Sequence, residues 1–264
     1  MREAVDMNTI RSRNSGIFNL TRTRVSIIGC GSIGSFTAST LARMGVMRFS
    51  LYDEDVVAPE NIGVQDFTIH QLNDNKVHCV EQNIKSINPL AHVRSINRNV
   101  TRDGGRFLTE GIYASRTDED GPPTDVCIMA VDSMEARMDI IQHPAFRTVC
   151  EGLDQSNSTF CENAYFFDAR MGSETFQLYK FKMPFTTDDY LKTWYSDEDG
   201  DPEPCSARST AYCSTFAGSI IASEVKKCTT GGMVAEKILF GFPSLLLDAE
   251  IDYTKFANDL RKSQ

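Results

Sequence analysis

The residues of this 264-residue chain that could do chemistry lie around a glycine-rich turn. The turn, Gly29-Cys30-Gly31-Ser32-Ile33-Gly34, has the G-x-G-x-x-G spacing in which backbone amides can approach a phosphate. Asp53 follows about 20 residues later, where a carboxylate can accept hydrogen bonds from ribose hydroxyls. The pattern predicts a site for an adenine nucleotide, and by itself it does not separate NAD from ATP.

The elements on both sides of the turn support this interpretation. A short apolar, β-branched run ending at Ile28 predicts a buried strand, residues 32–44 have the apolar spacing of a helix, and residues 47–52 predict a second strand. The predicted fold class is α/β: a Rossmann-like, doubly wound, mainly parallel sheet with antiparallel strands in the C-terminal half. Further strands are predicted at residues 92–97, 125–131, 146–150, 159–168 and 174–181. Further helices are predicted from Asn73 or Asp74 to residue 87, at residues 212–227, and once more after Gly232, where a closing strand-like segment follows.

Composition excludes several classes of protein. The formal net charge of −9 argues against a nucleic-acid scaffold, because binding to phosphates needs a basic surface. We find neither an apolar run of the ~20 residues that span a bilayer nor the apolar core of a signal peptide, so we expect a cytoplasmic protein without a membrane partner. In a cytoplasmic protein, its eight cysteines are predicted to be free thiols and not disulfides. No C-x-x-C pair occurs, and no zinc site is predicted.

The chain divides into a polar N-terminal arm, residues 1–20, and a single domain, residues 21–264. Within the domain, residues 184–210 form an acidic, turn-rich connection of the length that is usually functional or disordered. It leads to Cys205. Lys76 lies in the first turn of a predicted helix, where the helix dipole disfavours a cation. Such a charge often has a ligand, although a lysine that points into water is the commoner case. Asp132 directly follows a predicted core strand, so it could face the same crevice as Asp53.

These short motifs, in this order, resemble the ThiF/MoeB/HesA family, which includes the ubiquitin-activating enzymes. The resemblance runs from the glycine turn to about residue 232. It is carried by Asp53-x-Asp55-x-Val57, by Asn61, Gln65 and Lys76, and by Ala130-Val131-Asp132-Ser133. Members of the family use ATP and Mg²⁺ to adenylate the C-terminal carboxylate of a small ubiquitin-like or sulfur-carrier protein. The resemblance therefore implies this activity, and a homodimer, for the present chain; a peptide substrate stays open.

The resemblance also implies roles for single residues. Asp53 matches the acid that binds ribose, Lys76 the lysine that contacts phosphates, and Asp132 the acid that holds Mg²⁺. Arg11 or Arg13 is placed like an arginine that family members supply from the N-terminal arm, often across the dimer. Cys205 matches a cysteine that receives the activated carboxylate. The nucleotide-binding set is Gly29, Gly31, Gly34, Asp53, Asp55, Asn61, Gln65 and Lys76.

One departure and two alternatives stand beside this interpretation. Family members commonly carry an arginine directly before the glutamine, and here the position is Val64. Another cation must compensate, or activity is weak or lost. The chain could then be a catalytically silent binding protein. An NAD-dependent dehydrogenase also fits the glycine turn and Asp53, although it leaves Lys76 and Asp132 unexplained. Cys161, on a predicted strand beside a glutamate, is a weaker candidate nucleophile than Cys205, whereas Cys30, Cys127 and Cys150 are predicted to be buried in the core.

Overall fold

The structure is a computed structural model that describes residues 13–100, 125–151, 164–196 and 209–250. Fourteen main elements follow the chain within these ranges. They are β1 (Arg24–Ile28), α1 (Ser32–Arg43), β2 (Arg48–Tyr52), α2 (Lys76–Ile87), β3 (His92–Ile96), β4 (Asp125–Met129), α3 (Met134–Gln142), α4 (Pro144–Cys150), β5 (Ala164–Met171), β6 (Thr175–Lys182), α5 (Thr187–Leu191), α6 (Ala211–Thr230), β7 (Lys237–Gly241) and β8 (Leu246–Glu250).

All eight strands form one sheet in the order β3-β2-β1-β4-β5-β6-β7-β8. Strands β1 to β5 pair in parallel, and β6, β7 and β8 are antiparallel to their neighbours. This confirms the predicted fold class. The order reverses at β1, which pairs with β2 on one side and β4 on the other. Ligands of such sheets bind beyond the carboxyl ends of the strands at this reversal, where the glycine turn lies.

Helices cover both faces of the sheet. One core cluster joins α1, α2 and α6 to the strands and includes Leu20, whereas the other joins α3, α4 and α5. Helices α1 and α6 pack closely: a Cβ on Gly218 of α6 would come within 2.9 Å of the Phe36 backbone of α1. Because α5 and α6 belong to opposite faces, the chain passes from one face to the other between them.

Three predictions about secondary structure are wrong. Residues 146–150 lie in helix α4, and their i, i+4 pair Phe146 and Cys150 is buried on the helix side that faces the sheet. The described residues after Gly232 form strands β7 and β8, where a helix and then a closing strand-like segment were expected, so the predicted helix is wrong. Helix α2 is preceded by Asn75, and Asn73 adopts a left-handed conformation with φ of 68°. The predicted strand at residues 159–168 lies partly outside the described residues; its described part belongs to β5.

Candidate functional site

The three glycines of the turn have different surroundings. Gly29 has φ of +93°, and a Cβ there would lie 2.5 Å from the carbonyl oxygen of Ala130. A Cβ on Gly34 would overlap the carbonyl oxygen of Gly29. A Cβ on Gly31 would meet only Gln65 Nε2, at 3.8 Å. Gly29 and Gly34 therefore bring the strands and α1 together, whereas Gly31 leaves the N-terminus of α1 open to an anion.

Asp53 lies beside this turn, directly after β2. Its Oδ2 accepts a hydrogen bond from the Cys30 backbone N–H at 2.7 Å, and its Oδ1 accepts one from the Asp55 N–H at 2.8 Å. Each carboxylate oxygen keeps further acceptor capacity, which ribose hydroxyls could use. Burial raises the pKa of Asp53, and the nearby Lys76 ammonium opposes that rise.

Lys76 is the first residue of α2, and it is buried, at 8% exposure. Its Nζ donates to Asp55 Oδ2 at 2.8 Å, and its backbone N–H donates to the Asp55 carbonyl at 2.9 Å. The Asp55 side chain is 62% exposed. The lysine thus reaches back toward Asp53 and the glycine turn, with a partner that water or a ligand can also contact.

The loop after β2 carries Asn61 and Gln65 across to α1. Asn61 ends a short 3₁₀ turn, and its Oδ1 accepts a hydrogen bond from the Ala58 N–H at 2.9 Å. Its carbonyl accepts from the N–H groups of Val64 and Gln65. Gln65 Oε1 is buried, and within the described part of the chain it has no hydrogen-bond partner. Because a buried amide oxygen is costly to leave unpaired, Gln65 points to a missing ligand or water.

Contacts with Asp66 hold this loop against the two helices. The Asp66 N–H donates to Ser35 Oγ at 3.0 Å, and Ser39 Oγ donates to the Asp66 carboxylate. Asn83 of α2 donates to the Asp66 carbonyl at 2.6 Å. Gln65 is therefore kept near Gly31 by its neighbour.

Asp132 lies at the same edge of the sheet. The Ala130 N–H donates to the Ile28 carbonyl at 2.7 Å, which continues the pairing of β4 with β1 up to the glycine turn. Asp132 follows in a bend and is exposed, and Ser133 then caps α3 by accepting the Ala136 N–H at 3.1 Å. An exposed carboxylate beside an open helix N-terminus suits Mg²⁺ bound together with phosphate oxygens.

Within the described part of the chain, Arg13 is not joined to this group. Arg13 is exposed, in a helical turn at residues 13–15, and none of the contacts among the described residues connects it to Lys76 or Asp132. Cys205 lies outside the described residues, as do Arg11 and Cys161. Ser209, close in sequence to Cys205, approaches Ser32 at the start of α1, with 3.1 Å between their hydroxyl oxygens.

The described cysteines are six, and all are buried: Cys30, Cys79, Cys127, Cys150, Cys213 and Cys228. The expected burial of Cys30, Cys127 and Cys150 is confirmed. Burial raises the pKa of the Cys127 thiol to about 12 and that of Cys79 to about 11. Since the thiolate is the nucleophile, these thiols are unsuited to accept an acyl group.

The residues present fit a nucleotide with its metal ion. Three adjoining elements, α1, the segment after β2 and α2, carry the groups that could bind it. These groups are the open amides at Gly31, the Asp53 carboxylate, the unpaired Gln65 oxygen and the Lys76 ammonium. Within the described ranges, no group of three or more His, Cys, Asp or Glu residues forms a preformed metal cage. Mg²⁺ is usually bound by one or two carboxylates and the substrate phosphates, and Asp132 would be the carboxylate available for it here.

The sequence analysis missed a buried ionic cluster below Asp132. Asp168 and Arg170 both lie inside β5, and the turn follows Met171. Arg137 of α3 completes the cluster through Asp168, at 3.0 Å. Two charged residues at i and i+2 in an otherwise apolar strand were the available signal.

A Rossmann-like sheet with a glycine turn at the strand-order reversal defines a class of fold that commonly binds nucleotides. The sequence places the chain more closely, since the ThiF family profile matches residues 6–236. The chain belongs to the ThiF family. It is 34% identical over 143 residues to ubiquitin-like modifier-activating enzyme 5 of Gallus gallus and 33% identical over 144 residues to that of Mus musculus. Each alignment covers 53% of this chain and 34% of the relative, so the matched region is about a third of these proteins.

Solved structures share the fold. PaaA superposes with a TM-score of 0.61 at 19% identity, covering 88% of this chain and 64% of that one. Escherichia coli MccB, in a crystal structure with AMPCPP and MccA, superposes with a TM-score of 0.60 at 15% identity and the same coverage. MccB with ATP gives 0.58 at 16% identity. Within the described residues, no helix is long and apolar enough to cross a membrane.

Proposed function

We propose that this chain is an ATP- and Mg²⁺-dependent adenylyltransferase that activates the carboxylate of a small ubiquitin-like or sulfur-carrier protein, or of a peptide. The observation that carries the proposal is the convergence of Lys76, Asp53 and Gln65 on the open helix N-terminus at Gly31. The family membership supports it. So do the relatives, which are named as activators of a ubiquitin-like modifier or were crystallised with a nucleotide and a second polypeptide.

In the proposed reaction a carboxylate oxygen of the substrate attacks the α-phosphorus of ATP. The new O–P bond forms as the bond between the α-phosphorus and the bridging oxygen breaks, and pyrophosphate leaves. Both reactants are anions, so the site must offset their repulsion. Lys76 and the amides at Gly31 supply positive potential to the phosphates, and Asp53 orients the ribose. Mg²⁺, held by Asp132, would neutralise the developing charge on pyrophosphate.

Lys76 alone would neutralise little of the phosphate charge, since its ammonium already pairs with Asp55. The absence of an arginine at position 64 makes a further cation necessary. Arg11 or Arg13 of the arm, residues 1–20, is proposed for this role, supplied within a homodimer as the family resemblance implies. Residues 21–264 are proposed to form the single adenylation domain. Cys205 is proposed to accept the activated acyl group, as the family resemblance implies, and burial of the six described thiols makes them unsuited to that role.

The test measures binding of ATP with Mg²⁺, and of NAD⁺, by titration calorimetry on the wild type, Asp132→Ala and Asp139→Ala. Asp139 is an exposed carboxylate of the neighbouring helix α3 and serves as the matched control. We expect Mg²⁺-dependent ATP binding that weakens about tenfold or more in Asp132→Ala only, as for loss of one charged contact. Tight NAD⁺ binding indifferent to Asp132 would favour a dehydrogenase. Binding of neither nucleotide would favour a silent binding protein.

A further inference from the structure

The inference concerns the Asp168 carboxylate, which is fully buried in β5. Three side chains donate to it. Arg137 Nε lies 3.0 Å from Oδ1, while Arg170 Nη2 at 2.6 Å and the Tyr190 hydroxyl at 3.0 Å bond to Oδ2. Both arginines are 3% exposed and Tyr190 is fully buried. Because buried charges are costly unless they stay paired, this cluster resists partial separation.

On one side the cluster holds the loop that carries Asp132. Arg137 Nη1 donates to the Ser133 carbonyl at 3.1 Å, and Arg137 Nη2 donates to the Ala169 carbonyl of β5 at 2.8 Å. Ser133 is the residue after Asp132 and the N-cap of α3. The backbone that presents Asp132 is therefore tied to β5 through one guanidinium.

On the other side the cluster holds residues 184–196, which we call the crossover segment. Arg170 Nη1 donates to the Thr193 carbonyl at 2.6 Å, and Arg170 Nη2 is 3.1 Å from Thr193 Oγ1. Tyr190 of α5 belongs to the same segment. The Arg170 guanidinium also stacks over the Tyr179 ring, 4.4 Å from its centroid. Burial disfavours its charge, but Asp168, Tyr190 and Tyr179 together outweigh burial, so the pKa of Arg170 is raised.

We propose that Asp168 and Arg170 are positioning residues that couple docking of the crossover segment to the geometry of the Asp132 loop. One carboxylate serves both guanidiniums. When Thr193 moves away, Arg170 loses a hydrogen-bond partner, and when Tyr190 moves away, Asp168 loses one. In either case Arg170 shifts on Asp168, and Arg137 must follow to keep its own ion pair. Undocking the segment therefore loosens the Ser133 carbonyl and displaces Asp132. The consequence for Mg²⁺ and ATP rests on the proposed function; the mechanical coupling does not.

The test uses two mild variants of the segment, Thr193→Val and Tyr190→Phe, each of which removes one hydroxyl from the cluster. Thr187→Val is the matched control. Thr187 lies in helix α5 with Tyr190, but its hydroxyl donates to Glu151, at 2.9 Å, outside the cluster. Thr193→Ser keeps the hydroxyl and serves as the rescue variant. The readouts are amide hydrogen exchange of residues 132–137 and the dissociation constant of ATP with Mg²⁺.

Thr193→Val removes the two hydrogen bonds of that hydroxyl, to Arg170 and to the Tyr190 carbonyl, and Tyr190→Phe removes one, to Asp168. We expect both variants to speed exchange of residues 132–137 about three- to tenfold, as loss of one or two hydrogen bonds allows, and to weaken ATP binding by a similar factor. Thr193→Ser should restore both, and Thr187→Val should change neither. Faster exchange confined to residues 184–196, or equal effects of the control, would overturn the coupling. If the wild type binds no ATP, the proposed function fails while the exchange result still decides the coupling.

Discussion

Replacing Lys76 by methionine tests the candidate site most directly. Methionine keeps the length and the helix propensity of the side chain but removes the ammonium. Lys76 has lost most of its exposure on folding, whereas its partner Asp55 is 62% exposed and can return to water. The lost ion pair should therefore cost stability no more than about 1 kcal/mol, the upper range for pairs that water reaches.

The cost to nucleotide binding should be larger. A hydrogen bond between an ammonium and a phosphate is worth about 1.5–3 kcal/mol. Its loss corresponds to a dissociation constant for ATP that is roughly 10- to 150-fold larger. Loss of the ammonium also removes the charge that opposes the burial of Asp53. The pKa of Asp53 should therefore rise further, and its affinity for ribose hydroxyls should fall with its ionisation.

Titration calorimetry with ATP and Mg²⁺ measures the binding, and thermal unfolding measures the stability. Lys85→Met is the control: Lys85 lies in the last turn of the same helix, and its ammonium donates to the Ala91 carbonyl. An ATP affinity equal in Lys76→Met and Lys85→Met would refute the assignment of Lys76 to the phosphates. A loss of binding matched by a large loss of stability would refute the estimate that Lys76 acts mainly on the ligand.

Three further changes have clear expectations. Gly34→Ala places a methyl group on the Gly29 carbonyl and should destabilise the fold by about 3 kcal/mol or more, whereas Gly63→Ala, with open space around it, should leave the unfolding temperature nearly unchanged. Val64→Arg should tighten ATP binding about two- to fivefold in calorimetry, the range of a partly screened charge, and unchanged affinity would show that position 64 does not face the phosphates. The pKa of Asp189 is lowered to about 2 by hydrogen bonds from Lys192 and Thr186. Its contribution to stability should be present above about pH 4 and lost as the pH falls toward 2, which nuclear magnetic resonance titration of that carboxyl checks.

The sequence predicted well where the signal is local. The apolar run before Gly29, the glycine spacing and the periodicity of α1 and α2 depend on neighbouring residues, and the structure has these elements within a few residues of their predicted bounds. Strands β1 and β4 were recognisable because parallel strands covered on both faces are almost continuously apolar. For the same reason the sequence could place Asp53 and Asp132 at one edge of the sheet.

Predictions were wrong where short segments take their conformation from packing. Residues 146–150 are aromatic and β-branched, and this favoured a strand over the i, i+4 spacing that buries Phe146 and Cys150 in a helix. The segment after Gly232 could be a helix by its own pattern. Its described residues become strands because β6 offers a free edge, to which β7 and then β8 add.

By itself the sequence determined the glycine turn, the fold class and the resemblance to the ThiF family, because glycine conformations and hydrophobic periods are encoded within short stretches. Only the tertiary structure decided which charges meet. Lys76 finds Asp55, and Asp168 joins Arg137 of α3 to Arg170 of β5, because strand register and helix packing bring together residues far apart in the chain. A buried charge needs a partner, but only the folded chain determines which residue that partner is.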